Sequence, residues 1–472
     1  MRNLNKWLAS FLVLLATVGC AQNPVSGKQD FVMMSESQEI GMGRRADTDV
    51  RKQYKVYAVQ ALQDYVNEVG QKLARQSHRP NLQYHFTVLD SPEINAFALP
   101  GGYVYITRGI LAYLNSEAEL AAVLGHEIGH VSARHGARQA SAAQATDIGL
   151  SIVSIFVPQV IPNIGQNLAG AILSGYGREH ELEADRLGAG YMARTAYDPQ
   201  AMVRVIGVLK NQELFDAEQA RQEGRQPRRY HGLFATHPDN DTRLQQVVGE
   251  AMQLTVQDPY DGYAAYLKQI DGLVFNDSAD QGVVRNNQFL HAELGLALTF
   301  PDGWRVYNRP QRLAAVSPQG DASIELKVEV AAPGDPADLA RHLTGKEQDI
   351  EELDINRLSA AIASTPGAMT GVVYLEHKAY IMQCSAKSPE ALNNYRRAMR
   401  DTIKSFHALG EAERILVKPL SIRLVKARAG DSYARMAQNS PLGAGAESYL
   451  RLINANYPQG EPVAGQIIKI VE

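Results

Sequence analysis

The sequence predicts an α+β chain of several domains, on three observations: its length, a mainly helical first half interrupted by short apolar strand segments, and a change to strand-rich sequence from about Gly272. At 472 residues the chain is too long for one hydrophobic core, and about 150 residues per domain gives roughly three. Hydrophobic residues at 45% and charged residues at 21% are ordinary globular values, so neither a fibrous nor a disordered chain is expected. The net charge is -4 with both signs interspersed. Nucleic acid is therefore excluded as a partner, because it requires a basic face or stripe.

The elements follow in chain order. Arg2 and Lys6 precede an apolar run, Trp7 to Val18, that is too short to span a bilayer and reads as a secretory signal. Its end, Ala16-Thr17-Val18-Gly19-Cys20, resembles a lipobox, where a bacterial lipoprotein is cut and Cys20 acylated. An ordinary signal peptide with an incidental cysteine is the alternative. Ala21 and Gln22 lack the aspartate that retains lipoproteins in the inner membrane, so the resemblance implies a lipid anchor in the outer membrane, facing the periplasm. The second cysteine, Cys384, sits in a strand-like stretch and reads as a buried structural thiol.

A polar tether, Gln22 to Gln38, leads into helical periodicity from about Glu39 to Arg75; Tyr84 to Leu89 and Tyr103 to Thr107 read as strands. The apolar region Gln139 to Gly177, broken by Pro158 and Pro162, reads as a helical hairpin on the domain or a lid over its cleft. Helical pattern resumes from Arg178 to Leu214. The expected divisions are a signal at 1–20, a first domain at 21–265, an α/β domain of unknown role at 272–410, and a small unit at 419–472. In the 272–410 domain, helices are expected at Pro336 to Leu353 and Pro389 to His407, bracketing strands between Val372 and Cys384.

The chemistry concentrates on one helix. Ser116 and Glu119 form a capping-box pattern that opens a helix running to about His135, with Gly136 as its stop. Within it lies His126-Glu127-Ile128-Gly129-His130. At about 100° per residue the two histidines stand on one face, one turn apart, so both can reach one cation. Glu127 projects beside them, placed to take a proton from the attacking water rather than to bind the metal. The surrounding Leu120, Ala121, Val123, Leu124 and Ile128 make the helix a buried one. Gly125 and Gly129 each cost about 1 kcal/mol against alanine in a helix, which implies close approach by another element.

Catalytic zinc takes three protein ligands, so the third must come from elsewhere. In Glu179-His180-Glu181-Leu182-Glu183-Ala184-Asp185, Glu181 and Asp185 share a helix face, which allows Glu181 to bind zinc while Asp185 orients a ligand histidine. His180, Glu179 and Glu183 read as solvated or salt-bridged. In Thr236-His237-Pro238, the proline can start a helix and leave His237 at its entrance, where it could donate to the oxyanion of a tetrahedral intermediate; a histidine with no chemistry is the alternative.

These residues carry a resemblance. Asn95-Ala96-Phe97 to Pro100-Gly101-Gly102, the Leu124 to Val131 segment, Glu181 to Asp185 and Thr236-His237-Pro238 together resemble the HtpX and BepA type of zinc metallopeptidase, a group related to the CAAX prenyl proteases. The resemblance spans about residues 21 to 260. It implies a mainly helical, thermolysin-like (gluzincin) domain with a small sheet, one zinc ion, and proteolysis of unfolded or misassembled envelope proteins. It also implies a strand beside the site that pairs with substrate backbone, for which Tyr103, Val104 and Tyr105 are the candidates, presenting a sheet edge. The transmembrane helices of HtpX and the repeat domain that follows the BepA protease have no counterpart here.

Residues Ser421 to Glu472 read as strand, helix, helix, strand, an order that resembles a LysM module. Binding of peptidoglycan and a purely structural role are both open for it. For the whole chain, a zinc metalloendopeptidase is the leading reading. The competing one is a non-proteolytic assembly chaperone or peptidoglycan-associated scaffold that keeps a zinc site.

Overall fold

The structure, a computed structural model, describes residues 20–32, 34–145, 177–222, 253–309, 312–331, 334–345, 349–443 and 445–472. These form two compact units. The first takes the described residues up to Phe215, those from 253 to Leu273, and Ser421–Glu472; the second takes most of what lies between Val274 and Leu420. The C-terminal stretch, expected to stand apart, is thus part of the first unit.

The first unit opens with a hairpin of β1 (Cys20–Gln22) and β2 (Gln29–Phe31) where a tether was expected. The long helical region is two helices, α1 (Glu36–Gln53) and α2 (Gln60–Ala74), because the chain turns extended at Tyr54 and re-enters helix only after Val59. A three-stranded sheet follows, formed by β3 (His85–Leu89), β4 (Ala96–Leu99) and β5 (Tyr103–Thr107) in the order β3-β5-β4. After the short α3 (Arg108–Tyr113) come α4 (Glu117–Ser132), α5 (His135–Ala145), α6 (Arg178–Arg194), α7 (Gln200–Gln222) and α8 (Tyr263–Ile270).

Helix α4 is the centre of this unit, buried from Ala118 to Ser132. Its N-terminus is held by polar groups: Ser116 Oγ accepts from Glu119 N–H, and Tyr65 and Tyr197 both donate to Glu117. The Glu119 carboxylate accepts from the backbone N–H of Asn115, one residue earlier than a reciprocal capping box would place it. At the other end the buried Arg79 guanidinium donates to Val131 O and to Glu39, which also receives Arg134. Each buried charge there has an opposite charge and hydrogen bonds, the condition under which burial is tolerated.

The C-terminal residues form two antiparallel strands, Leu420–Lys426 and Ile467–Val471, with helices Tyr433–Ala437 and Ala446–Ile453 between them. The fully buried Lys469 leaves this strand pair and donates from Nζ to Ala112 O and Leu114 O, both at 2.8 Å. Burial lowers the pKa of its ammonium, and the nearby Glu119 carboxylate partly offsets that effect. The last strand is therefore fastened to the corner that leads into α4.

The second unit is built on a seven-stranded sheet in the spatial order Arg305–Arg309, Arg312–Val316, Ala322–Val330, Lys378–Ala386, Ala368–Leu375, Leu358–Ser364, Asp349–Ile355. Every pairing is antiparallel, so the α/β expectation is corrected to α+β. Tight turns explain it: Asn356 and Arg357 both have positive φ, 52° and 70°, which suits a two-residue hairpin loop, whereas parallel neighbours need long crossovers. The helix expected over Pro336 to Leu353 stops at Thr344, and Asp349–Ile355 is the sheet's edge strand. Cys384 lies in the core with Ile324, Met382 and Phe406, and burial pushes its thiol up to about 12.

Candidate metal centre

The site begins with the contact between α4 and α6. A Cβ on Gly125 would stand 3.3 Å from Gly188 Cα, and one on Gly129 would stand 2.7 Å from Ala184 O. The two glycines thus answer the close approach that their helix cost implies, and they bring the α6 side chains against the α4 histidines.

His126 and His130 stand one turn apart on α4, both buried, with their Nε2 atoms 2.9 Å from each other. From α6, Glu181 places Oε2 3.5 Å from His126 Nε2 and Oε1 3.5 Å from His130 Nε2. Tetrahedral zinc with donors at its usual bond lengths sets neighbouring donors about 3.3 Å apart. The three observed separations bracket that value, and two imidazoles with one carboxylate are a zinc donor set. Among the described residues this is the one group of three such side chains close enough to share an ion.

Around these three, His126 Nδ1 lies 2.7 Å from Asp185 Oδ1, the geometry expected of an orienting carboxylate. Glu127 is fully buried beside His126 on α4. Glu179 is exposed and Glu183 is salt-bridged, both as expected, with Glu183 Oε2 3.1 Å from His135 Nε2, whereas the partly buried His180 stacks its ring on that of His135 at 4.2 Å. His135 is a residue that helical spacing does not flag. The helix does not run on to Gly136 but ends at Ser132, and Arg134 adopts φ 56°, so the chain turns and brings His135 back beside His130. A positive φ at a non-glycine residue is uncommon, and nothing in the local sequence announces it.

The expected substrate strand requires correction. Tyr103, Val104 and Tyr105 lie in β5, which pairs with β3 on one side and β4 on the other, so its backbone presents no edge. Tyr103 stacks on His85, and Tyr105 stacks on Phe97 and donates to Asp47 at 2.5 Å. The sheet's two edge strands are β3 and β4, the second a strand that its four-residue apolar run does not predict. A small cleft lined by Ala98, Leu99, Pro100, His130, Val131 and Ala137 joins β4 to the end of α4. His237 and the 146–176 part of the expected lid lie outside the described residues, while the part before it continues as α5.

Residues 60–251 match the model of peptidase family M48. That stretch is similar to the metallopeptidases of this family. Its similarity extends to the beta-barrel assembly-enhancing protease of Escherichia coli, 29% identical over 303 residues and covering 59% of each chain. The protein of that name from Yersinia pestis is 32% identical over 243 residues, covering 49% of this chain and 47% of that one. The mitochondrial metalloendopeptidase OMA1 of Schizosaccharomyces pombe is 28% identical over 229 residues, covering 48% of this chain and 64% of its own. This chain thus spans about half to two thirds of the length of these relatives. Among solved structures, the cyanobacterial PsbP of Synechocystis covers 27% of this chain and 95% of its own, at 11% identity and a TM-score of 0.21. The matched stretch contains all of His126, Glu127, His130, Glu181, Asp185 and His237. Among the described residues, no helix is long and apolar enough to cross a membrane.

Proposed function

We propose that this chain is a zinc-dependent endopeptidase of the bacterial envelope that cuts unfolded or misassembled proteins. The observation that carries the reading is the convergence of His126, His130 and Glu181 in one buried cluster, with Glu127 on the same helix. Zinc held there would lower the pKa of water and polarise the peptide carbonyl. Glu127 then accepts the proton of the attacking water and returns it to the leaving amine. Asp185 holds His126 with its Nδ1 protonated, so that Nε2 keeps its lone pair for the metal. His237 keeps its proposed role of donating to the oxyanion.

An extended peptide has a place to pair at the open side of β4, beside the cleft that reaches His130. Backbone pairing reads little sequence and requires a segment free of its own structure. Substrates are accordingly unfolded or unpaired segments, a class in keeping with the name of the Escherichia coli relative. The purified protein should cleave casein, lose that activity on chelation and regain it with zinc. Cleavage that persists in a zinc-free preparation would refute the reading.

The location belongs to the same proposal. The lipobox-like sequence before Cys20 supports an acylated protein held at the outer membrane and facing the periplasm. Cys20→Ser should then move the protein from the membrane to the soluble fraction, and unchanged fractionation would count against the anchor. The βααβ order of the C-terminal residues is compatible with contact to peptidoglycan.

A further inference from the structure

The two ligand histidines are held differently. His126 has the carboxylate of Asp185 at its Nδ1, whereas His130 Nδ1 faces a second imidazole, His135 Nδ1, at 2.8 Å. With Nε2 turned to the metal position, the proton of His130 belongs on Nδ1, because a metal-bound nitrogen cannot also carry one. Two N–H groups cannot face each other at that distance, so His135 must accept at Nδ1 and carry its own proton on Nε2. That nitrogen lies 3.1 Å from Glu183 Oε2, a carboxylate oxygen that can accept it. The tautomer of His130 is thereby tied through His135 to Glu183.

The surroundings fix this chain of groups in place. His135 is fully buried at the start of α5, and its ring is stacked on His180 with centroids 4.2 Å apart. Arg138, one turn further along α5, reaches the same Glu183 oxygen at 3.8 Å. Glu183 and Glu181 are two residues apart on α6, so one helix supplies both a ligand and the far end of the chain that orients another ligand.

We propose that His135 and Glu183 are positioning residues for the metal, holding His130 in the tautomer and ring orientation that zinc requires. This rests on the zinc site proposed above and adds to it a second orienting arm, with an imidazole between the ligand and its carboxylate. Partners of this kind are worth about 10–100-fold in metal affinity.

The test is zinc affinity of the full chain, measured by competition with a chromophoric chelator. His135→Leu removes the acceptor and should weaken zinc about 10–100-fold. His135→Asn keeps an acceptor near the Nδ1 position and should recover most of the loss, a rescue that a packing role would not give. Glu183→Leu, at a half-buried position, should weaken zinc in the same direction by less and shift the visible absorption of the cobalt-substituted protein. Wild-type zinc affinity in both leucine variants, or equal losses for His135→Leu and His135→Asn, would overturn the proposal. If His135→Leu does not fold, Glu183→Leu with unchanged affinity and cobalt spectrum would overturn it alone. Failure of the wild-type chain to bind one zinc would instead refute the metal site itself.

Discussion

Both units bury hydrocarbon, and the first buries charge as well. Glu39, Arg79, Glu119, Glu127, Arg134, Glu181, Asp185 and Lys469 are all buried in the first. Among the described residues of the second, no Asp, Glu, Lys or Arg is buried, and its core is Phe289, Trp304, Ile324, Met382, Leu392 and Phe406. Burying an ion costs several kcal/mol unless a partner and hydrogen bonds compensate it. The second unit avoids that cost. The first accepts it in two ways: with ion pairs and hydrogen bonds at the ends of α4, and, between them, with a cluster whose donors suit a metal. Buried charge alone therefore does not mark the site. What separates the site from the anchors is that its donors converge on one point instead of on each other.

The largest effect expected from this contrast is at Glu181. Glu181→Ala removes one of three ligands and should abolish both stoichiometric zinc and peptide hydrolysis. Full zinc content in that variant, read by elemental analysis, would place the third ligand elsewhere. Met382→Ala makes the complementary change in the second unit, where it opens a cavity in an apolar core and should cost about 2–5 kcal/mol. Trp304 lies in that core, and the sequence's other tryptophan is Trp7 in the expected signal, so tryptophan fluorescence follows this unit. Its denaturation midpoint should fall while zinc content stays the same. Loss of zinc on this substitution would break the separation of roles between the two units.

The legible parts of the site were local. His126 and His130 share a face because they are four residues apart on one helix, and Glu181 and Asp185 repeat that spacing. Gly125 and Gly129 announced the helix contact through their intrinsic cost, and Gly188 and Ala184 are what they meet. The parts that were not legible depend on how distant segments meet. The order β3-β5-β4 puts the last strand in the middle, and strand periodicity carries no information about neighbours. Helical spacing does not mark His135, because the turn at Arg134 breaks the count, and a lysine in an Ile-Ile-Lys-Ile strand gives no sign of burial at Lys469. The Pro336 to Leu353 stretch reads as one helix because Asp349–Ile355 is an exposed edge strand with little apolar alternation to mark it.

Glu127 serves the proton and not the metal in the proposed chemistry, and every later step depends on it. Glu127→Gln keeps the size of the side chain and removes its basicity, so the measurement is zinc content and casein cleavage on the same purified sample. One zinc per chain should remain while cleavage falls by at least about 100-fold, the contribution typical of a general base. Loss of the zinc, or cleavage near the wild-type rate, would contradict the role given to this carboxylate and with it the proposed chemistry of the site.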